Sequence, residues 1–211
     1  MDRRDRVRWI CSSKDNDELR RRYDQWADGY DQDLLEVHGY RGPEKAVAQL
    51  TQFVSDSDAL ILDAGCGTGL VGELLCEKGY KNLVGIDLSE GMLRVASQKS
   101  VYKTLQTMTL GEPLAFPDRY FDAVISVGVF TQGHAPPKAF DELVRITRPN
   151  GTIVFTLRCH TYTNCGFQEK FQALEQAGRW TLEGASTPFP STPGSDPHTC
   201  VQVWAFRRLG P

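Results

Sequence analysis

Short apolar runs alternate with amphipathic stretches from about residue 44 onward. "ALILDA" (59–64) and "NLVGIDLS" (82–89) are short and apolar enough for strands buried on both faces. "EKAVAQLTQFV" (44–54), "LVGELLCEKGY" (70–80) and "EGMLRVASQ" (90–98) instead carry their apolar residues at helical spacing. Gly79 closes the second of these, and Ser89 stands where it can cap the third. A weaker strand falls at "KTLQTM" (103–108) and an apolar one at "FDAVISVGVF" (121–130). The helical "PKAFDELVRIT" (137–147), stopped by "RPNG", precedes another strand at "TIVFTLR" (152–158). A last helix, "FQEKFQALEQAG" (167–178), leads to two β-rich runs, "WTLEGAST" (180–187) and "TCVQVWAF" (199–206). The connection between them, "PFPSTPGSDPH", suits a hairpin rather than a crossover. Strand alternating with helix predicts parallel βαβ units: an α/β fold whose seven-stranded sheet is mostly parallel, with an antiparallel last strand and helices on both faces.

Ahead of this unit, Leu19, Tyr23, Trp26, Ala27, Tyr30 and Leu34 repeat along one face of a helix. Such a face needs a surface to cover. Residues 1–42 are therefore expected to form an arm and an N-terminal helical lid on a single globular unit, residues 43–211.

With 211 residues, 40% hydrophobic and 24% charged, the chain has material for one sizeable core. No apolar run approaches the roughly 18 to 20 residues that span a bilayer, and the first residues lack the apolar stretch of a secretory signal. A cytoplasmic, monomeric protein is the expectation, with no membrane association. The net charge of −3 gives no general attraction for nucleic acid, and the arginine excess of the first twenty-odd residues reads as a solvated arm. The six cysteines form no C-x-x-C pair, so free thiols and no metal site are expected.

The candidate chemistry lies in "ALILDAGCGTGLVGELL" (59–75), which holds two overlapping glycine patterns. Read from Gly67, "GTGLVG" is a dinucleotide fingerprint; read from Gly65, the pattern is G-x-G-x-G with Asp63 two residues ahead. Asp87, about twenty residues on, serves either reading as acceptor for ribose hydroxyls. The Gly67 register would leave Asp63 to finish a buried strand, whereas the Gly65 register puts Asp63 at the strand tip, where it can meet a cationic amine. A ligand with an ammonium, a carboxylate and a ribose fits the second better than a diphosphate does. Gly72 then reads as a helix residue chosen for close packing.

"LDAGCGTG", "GIDLSEGML", "LAFPDRYFDAVIS" and "RPNGTIVFT", in that order, resemble the motif set of class I S-adenosylmethionine-dependent methyltransferases over roughly residues 44 to 158. The front stretch "YDQWADGYDQDL" with "YRGP" is similar to the methyltransferase-like proteins of the Williams-Beuren syndrome chromosomal region. The resemblance implies a Rossmann-like class I methyltransferase fold with S-adenosyl-L-methionine as cofactor and S-adenosyl-L-homocysteine as product. It puts Gly65, Gly67 and Gly69, with Cys66 and Thr68 between them, under the methionine and ribose, Asp63 at the amino group and Asp87 at the ribose. Leu88 and Met92 would pack on the adenine, and Thr109, Leu110 and Gly111 would border its edge. Leu110 departs from the pattern, since many relatives have an aspartate there; its contact then falls to backbone or water. Val127 and Gly128 would face the sulfur, Tyr23, Trp26 and Tyr30 would close over the cofactor, and Arg41 would pair with its carboxylate.

Methyl transfer from a sulfonium needs a positioned nucleophile more than a base. His134 and Gln132, in the loop after the fourth strand, and His160 and Tyr162, after the fifth, are the candidates for proton removal; His134 is the best placed. The leading expectation is transfer to a small-molecule acceptor, or second a protein one. A cofactor-binding but catalytically silent partner protein is the alternative, and a nicotinamide-dependent oxidoreductase a third.

Overall fold

The computed structural model describes residues 2–131 and 133–210. Three front helices, α1 (Arg6–Cys11), α2 (Asn16–Trp26) and α3 (Tyr30–Gln32), precede α4 (Gly42–Leu50) and the central strand β1 (Leu60–Ala64). Then follow α5 (Leu70–Glu77), β2 (Asn82–Asp87), α6 (Glu90–Gln98), β3 (Thr104–Thr107), β4 (Phe121–Phe130), α7 (Ala139–Ile146) and β5 (Thr147–Arg158). The chain ends with α8 (Cys159–Asn164), α9 (Phe167–Gln176), β6 (Trp180–Ala185), β7 (Phe189–Thr192) and β8 (Asp196–Arg208).

The strand order β3-β2-β1-β4-β5-β8-β6 is parallel through β5, with β8 antiparallel between β5 and β6. That is the expected doubly wound sheet, and the apolar runs are its doubly buried strands. Along β5, Phe155 packs with Phe140, Phe171, Trp180 and Phe206 on one face, while Val154 packs with Val47, Leu50 and Leu75 on the other. Eight strands are present among the described residues rather than seven: the proline-rich connection contributes β7, which pairs with the start of β8. "RPNG" belongs to the irregular start of β5 instead of ending a helix, with Asn150 at φ +63°.

The front segment is more broken than one helix face implies. After α2 come a 3₁₀ turn (Ala27–Gly29), α3 and a π-helical stretch (Asp33–His38). Leu19, Trp26 and Leu34 still pack together with Ile10, and Tyr23, Tyr30 and Tyr40 lean on this cluster. Within it Asp33 is only 2% exposed. Its carboxylate accepts from Trp26 Nε1 and Arg6 Nη1, both at 2.8 Å, and from Arg3. Burial works against the charge, but the bonds from Arg3 and Trp26 and the Arg6 cation hold the Asp33 carboxyl below its usual range. Arg3 and Arg6 are thus structural, with a partner some thirty residues away, out of reach of local charge counting, while Arg4, Arg8, Arg20 and Arg21 remain exposed as expected of a solvated arm.

The other side of the front segment carries acids that dock it on the sheet unit. Asp24 accepts from Ser89 Oγ (2.6 Å) and Gly91 N (2.9 Å) at the start of α6, and Asp28 meets Arg94 at 2.5 Å. Asp31 takes Lys99 Nζ at 2.7 Å and the hydroxyl of Thr68. Among the described residues, no helix is long and apolar enough to cross a membrane.

The cysteines depart from the expected free thiols. Cys159 and Cys200 form a disulfide, with Cα atoms 5.5 Å apart. The cause is register: Arg158 pairs with Val201 across β5 and β8, so the adjoining cysteines meet. Cys11, Cys66, Cys76 and Cys165 are free. Protein purified and denatured without reductant is therefore expected to titrate four thiols out of six, and mass spectrometry of its digest to show the Cys159–Cys200 crosslink; six reactive thiols would contradict the pairing.

Candidate functional site

Ligands of doubly wound sheets gather beyond the carboxyl ends of the strands, where strand order reverses. Here that point lies between β1 and β4. The backbone N–H groups of Gly65 and Cys66 both donate to Ile86 O, at 2.8 and 2.9 Å, so the chain turns directly after Ala64. Gly65 adopts φ +80°, and a side chain there would collide with Val129. Beside it Gly67, at φ +53°, faces open space. The turn follows the Gly65 register and leaves Gly72 inside α5. There Gly72 makes room for the Tyr102 hydroxyl, which accepts from Gly72 N (3.1 Å) and donates to Asp63 Oδ2 (2.6 Å).

Asp63 is not at the strand tip but within β1, between Gly85 and Ile125 of its neighbours. Its carboxylate is 1% exposed, and Oδ1 has no partner. Burial pushes the Asp63 carboxyl up to about 7, against the opposing pull of Tyr102 and with Asp87 adding repulsion. Asp87, at the end of β2, accepts from Gly67 N and Ser89 N, both at 2.9 Å. Burial nevertheless pushes Asp87 up to about 6. Asp63, with one unmatched oxygen, and Asp87, a buried carboxylate bonded among the described residues only to backbone N–H groups, fit a ligand that brings an ammonium and hydroxyl donors.

The end of β4 opens the site. Register is lost between Ser126 and Phe130, and Gly128 N, at φ +76°, donates to Thr156 Oγ1 (2.8 Å) instead of a ladder carbonyl. The resulting cavity, about 670 Å³ with its open mouth, brings together Tyr23, Tyr30, Gly65, Gly67, Asp87, Leu88, Met92, Thr109, Leu110, Val127, Gly128 and His134. A smaller pocket continues over Cys66 and Thr68 between Tyr30, Tyr40 and Val127. A third space, about 700 Å³, lies under the front helices and shares Tyr23, Tyr30, Gly128 and His134 with the first.

Five expected residues are not on the walls of the first two cavities, and Asp63, buried within β1, is one of them. Arg41 is exposed, its N–H bonded to Ser191 O (2.9 Å), because it immediately precedes α4 at the surface. Gly69 starts α5 and packs on Tyr102 and Lys99, and Gly111 packs on Pro136. Trp26 lines only the third space. His134 is half-buried, its Nε2 3.0 Å from the Tyr23 hydroxyl, at the junction of both large cavities. Burial pushes the Tyr23 and Tyr30 hydroxyls well above their ordinary 10, so both stay neutral. The loop after β5 became α8: His160 is exposed there and Tyr162 stacks on Trp204 at 5.2 Å, away from the site. Gln132 lies outside the described residues. Tyr40, Tyr102, Thr156 and Arg158 were not foreseen. Arg158, ending a parallel strand, was the one with a readable signal.

Residues 62–155 match the family described as "Methyltransferase domain". Methyltransferase-like protein 27 of Homo sapiens is 43% identical over 165 residues, 75% of this chain and 66% of that protein. Malonyl-[acyl-carrier protein] O-methyltransferase of Serratia marcescens is 39% identical over 98 residues, 46% of this chain and 37% of that protein. The chain thus spans about two thirds or less of the length of these two relatives. Among solved structures, the [4+2]-cyclase SpnF has the same fold, with a TM-score of 0.72 at 13% identity, over 93% of this chain and 97% of that one. Chemistry must therefore be argued from the site, not from the fold.

Tyr102→Phe leaves Asp63 Oδ2 and Gly72 N unpartnered. It should cost about 1–3 kcal/mol of stability by chemical denaturation, and an unchanged midpoint would refute the coupling.

Proposed function

We propose, for a chain that belongs to the class I S-adenosylmethionine-dependent methyltransferases, that it transfers a methyl group by in-line displacement to a small-molecule acceptor, and that within the class it stands beside the methyltransferase-like proteins its front stretch resembles. The carrying observation is the unpartnered Asp63 oxygen beside a glycine turn, followed by Asp87 and an apolar adenine-sized wall. Bound there, S-adenosylmethionine supplies an electrophilic methyl group on a sulfonium. The chain's own residues do the rest. Asp63 balances the ammonium, Asp87 accepts from the ribose hydroxyls, and Leu88 and Met92 pack on one adenine face. With Leu110 in place of an acid, backbone groups of 109–111 border the adenine edge. Val127 and Gly128 face the sulfur, and Tyr30 and Tyr23 close the front as part of the lid formed by residues 1–42.

Methyl transfer then depends on alignment and on keeping water out, worth about 7–11 kcal/mol when reactants are well oriented. Tyr23 and His134 stand where the two large cavities meet, at the place of reaction. The buried Tyr23 hydroxyl stays protonated, so His134 is the group that takes a proton from an acceptor hydroxyl or amine as the new bond to carbon forms. A small acceptor fits a partly open space of this size, and the Serratia marcescens relative is by name an O-methyltransferase. Incubation with methyl-labelled cofactor and fractionated cell extract should label a small-molecule fraction. Tight cofactor binding with no labelled fraction at all would instead support the silent-partner reading.

The two raised acids give a pH signature. In the free protein their neutral forms are favoured, so their contribution to stability is full below about 4 and is lost as pH rises through about 6 and about 7. Ligand binding runs the other way, because an ammonium and ribose hydroxyls need the ionised carboxylates. S-adenosylhomocysteine affinity should therefore rise from pH 5.5 to 8, by up to about tenfold per pH unit per group, with proton release near pH 6.5. Calorimetry in two buffers of different ionisation heat measures this; a flat profile would contradict it. Asp63→Asn should remove most of the slope.

A further inference from the structure

We infer that the space under the front helices is the acceptor chamber and that it selects a small carboxylic acid, anchored by Arg158. This rests on the methyltransferase reading, since it names the acceptor class for that same centre. The chamber joins the cofactor cavity at Tyr23, Tyr30, Gly128 and His134. Its remaining walls are largely apolar, with Ile10, Trp26, Leu34, Phe130 and Val201 among them. Into this lining comes one guanidinium. Arg158 ends β5 half-buried, and among the described residues no carboxylate or carbonyl is bonded to it. The other half-buried arginines are engaged: Arg3 and Arg6 by Asp33, Arg22 by Glu18, and Arg145 by Glu142 and Asp118. The acid whose charge Arg158 feels, Asp196, is exposed and turned to its own loop, bonded to Thr199 and to His198 N.

A second observation points the same way. Thr131 is nine-tenths buried on the chamber wall, and its hydroxyl has no partner. An unmatched cation and an unmatched hydroxyl in an apolar chamber are costly unless a ligand satisfies both. One cation and one unmatched hydroxyl, a single positive charge with a single donor, match a monoanionic carboxylate better than a doubly charged phosphate. The placement also separates the anchor from the reaction. Thr156, whose hydroxyl holds Gly128, lies two residues before Arg158, roughly 6–7 Å along the strand. The acid's carboxylate is held at the Arg158 end, and a separate hydroxyl or amine is presented to the methyl at the His134 end. Aromatic walls at Tyr23, Tyr30 and Trp26 favour an aryl body between the two.

The test uses full-length protein saturated with S-adenosylhomocysteine and ligand-observed NMR. The probes are 4-hydroxybenzoate, 4-hydroxyphenylacetate and indole-3-acetate, each against its primary amide. The acids should bind at least tenfold tighter than the amides. Arg158→Met should abolish that preference while leaving the S-adenosylhomocysteine dissociation constant within twofold, and Arg158→Lys should keep part of it. Equal binding of acids and amides, or no acid binding at millimolar concentration, would overturn the assignment. So would a tenfold loss of S-adenosylhomocysteine affinity in a folded Arg158→Met, which would give Arg158 to the cofactor's carboxylate. Failure of the wild type to bind S-adenosylhomocysteine would instead defeat the methyltransferase reading itself.

Discussion

A carboxylate buried in the central strand sets the terms for the rest of the molecule. Asp63 sits between β2 and β4 where a parallel sheet is ordinarily apolar, so each of its oxygens needs a partner. Tyr102 supplies one, and it reaches that far only because α5 carries a glycine at position 72. Strand, helix glycine and the tyrosine before β3 are therefore one device with contributions from three places in the chain. The second oxygen is left unmatched, and the group holds its proton up to about pH 7. Stability of the free protein and affinity for a cationic ligand are thus set against each other at a single atom.

The front segment answers a related problem. Its apolar side, with Trp26, Leu19 and Leu34, must be covered, and its acids find partners on α6, the loop after β1 and Lys99. Asp24 bonds the same Ser89 that caps α6, and Asp31 bonds Thr68 in the glycine turn. The contacts that seat the front segment and the residues proposed to hold the cofactor lie on the same short segments.

Periodicity and turn chemistry read elements one at a time, and they succeed where one element decides its own fate. β1, α5, β2 and α6 were legible because double burial and capping are local properties. So was the choice of glycine register, through Asp63, although its depth inside the strand was not. What escaped reading depends on distant pairing. The disulfide follows from β5–β8 register, the role of Arg3 and Arg6 from the position of Asp33, and Tyr102 from the Gly72 gap. Arg41 and Arg158 show the limit: both are cations near the right loops, and only tertiary placement leaves the first in solvent and the second on a cavity wall.

The division of the site along the chain carries its own meaning. Residues 62–155, the stretch that matches the family, supply most walls of the cavity proposed for the cofactor: Gly65, Gly67, Asp87, Met92, Leu110, Val127 and Gly128. The adjoining chamber takes Ile10, Trp26 and Tyr40 from before that stretch and Arg158 and Val201 from after it. Chemistry common to a family needs a fixed cradle, whereas acceptor choice needs walls that can change without disturbing it. The front segment and the β5–β8 end provide such walls, tied to the glycine turn's side of the site through Gly128 and its bond to Thr156. On the proposed function, acceptor selectivity would reside in the walls outside residues 62–155, and the methyl group would meet its acceptor at the seam between the two regions.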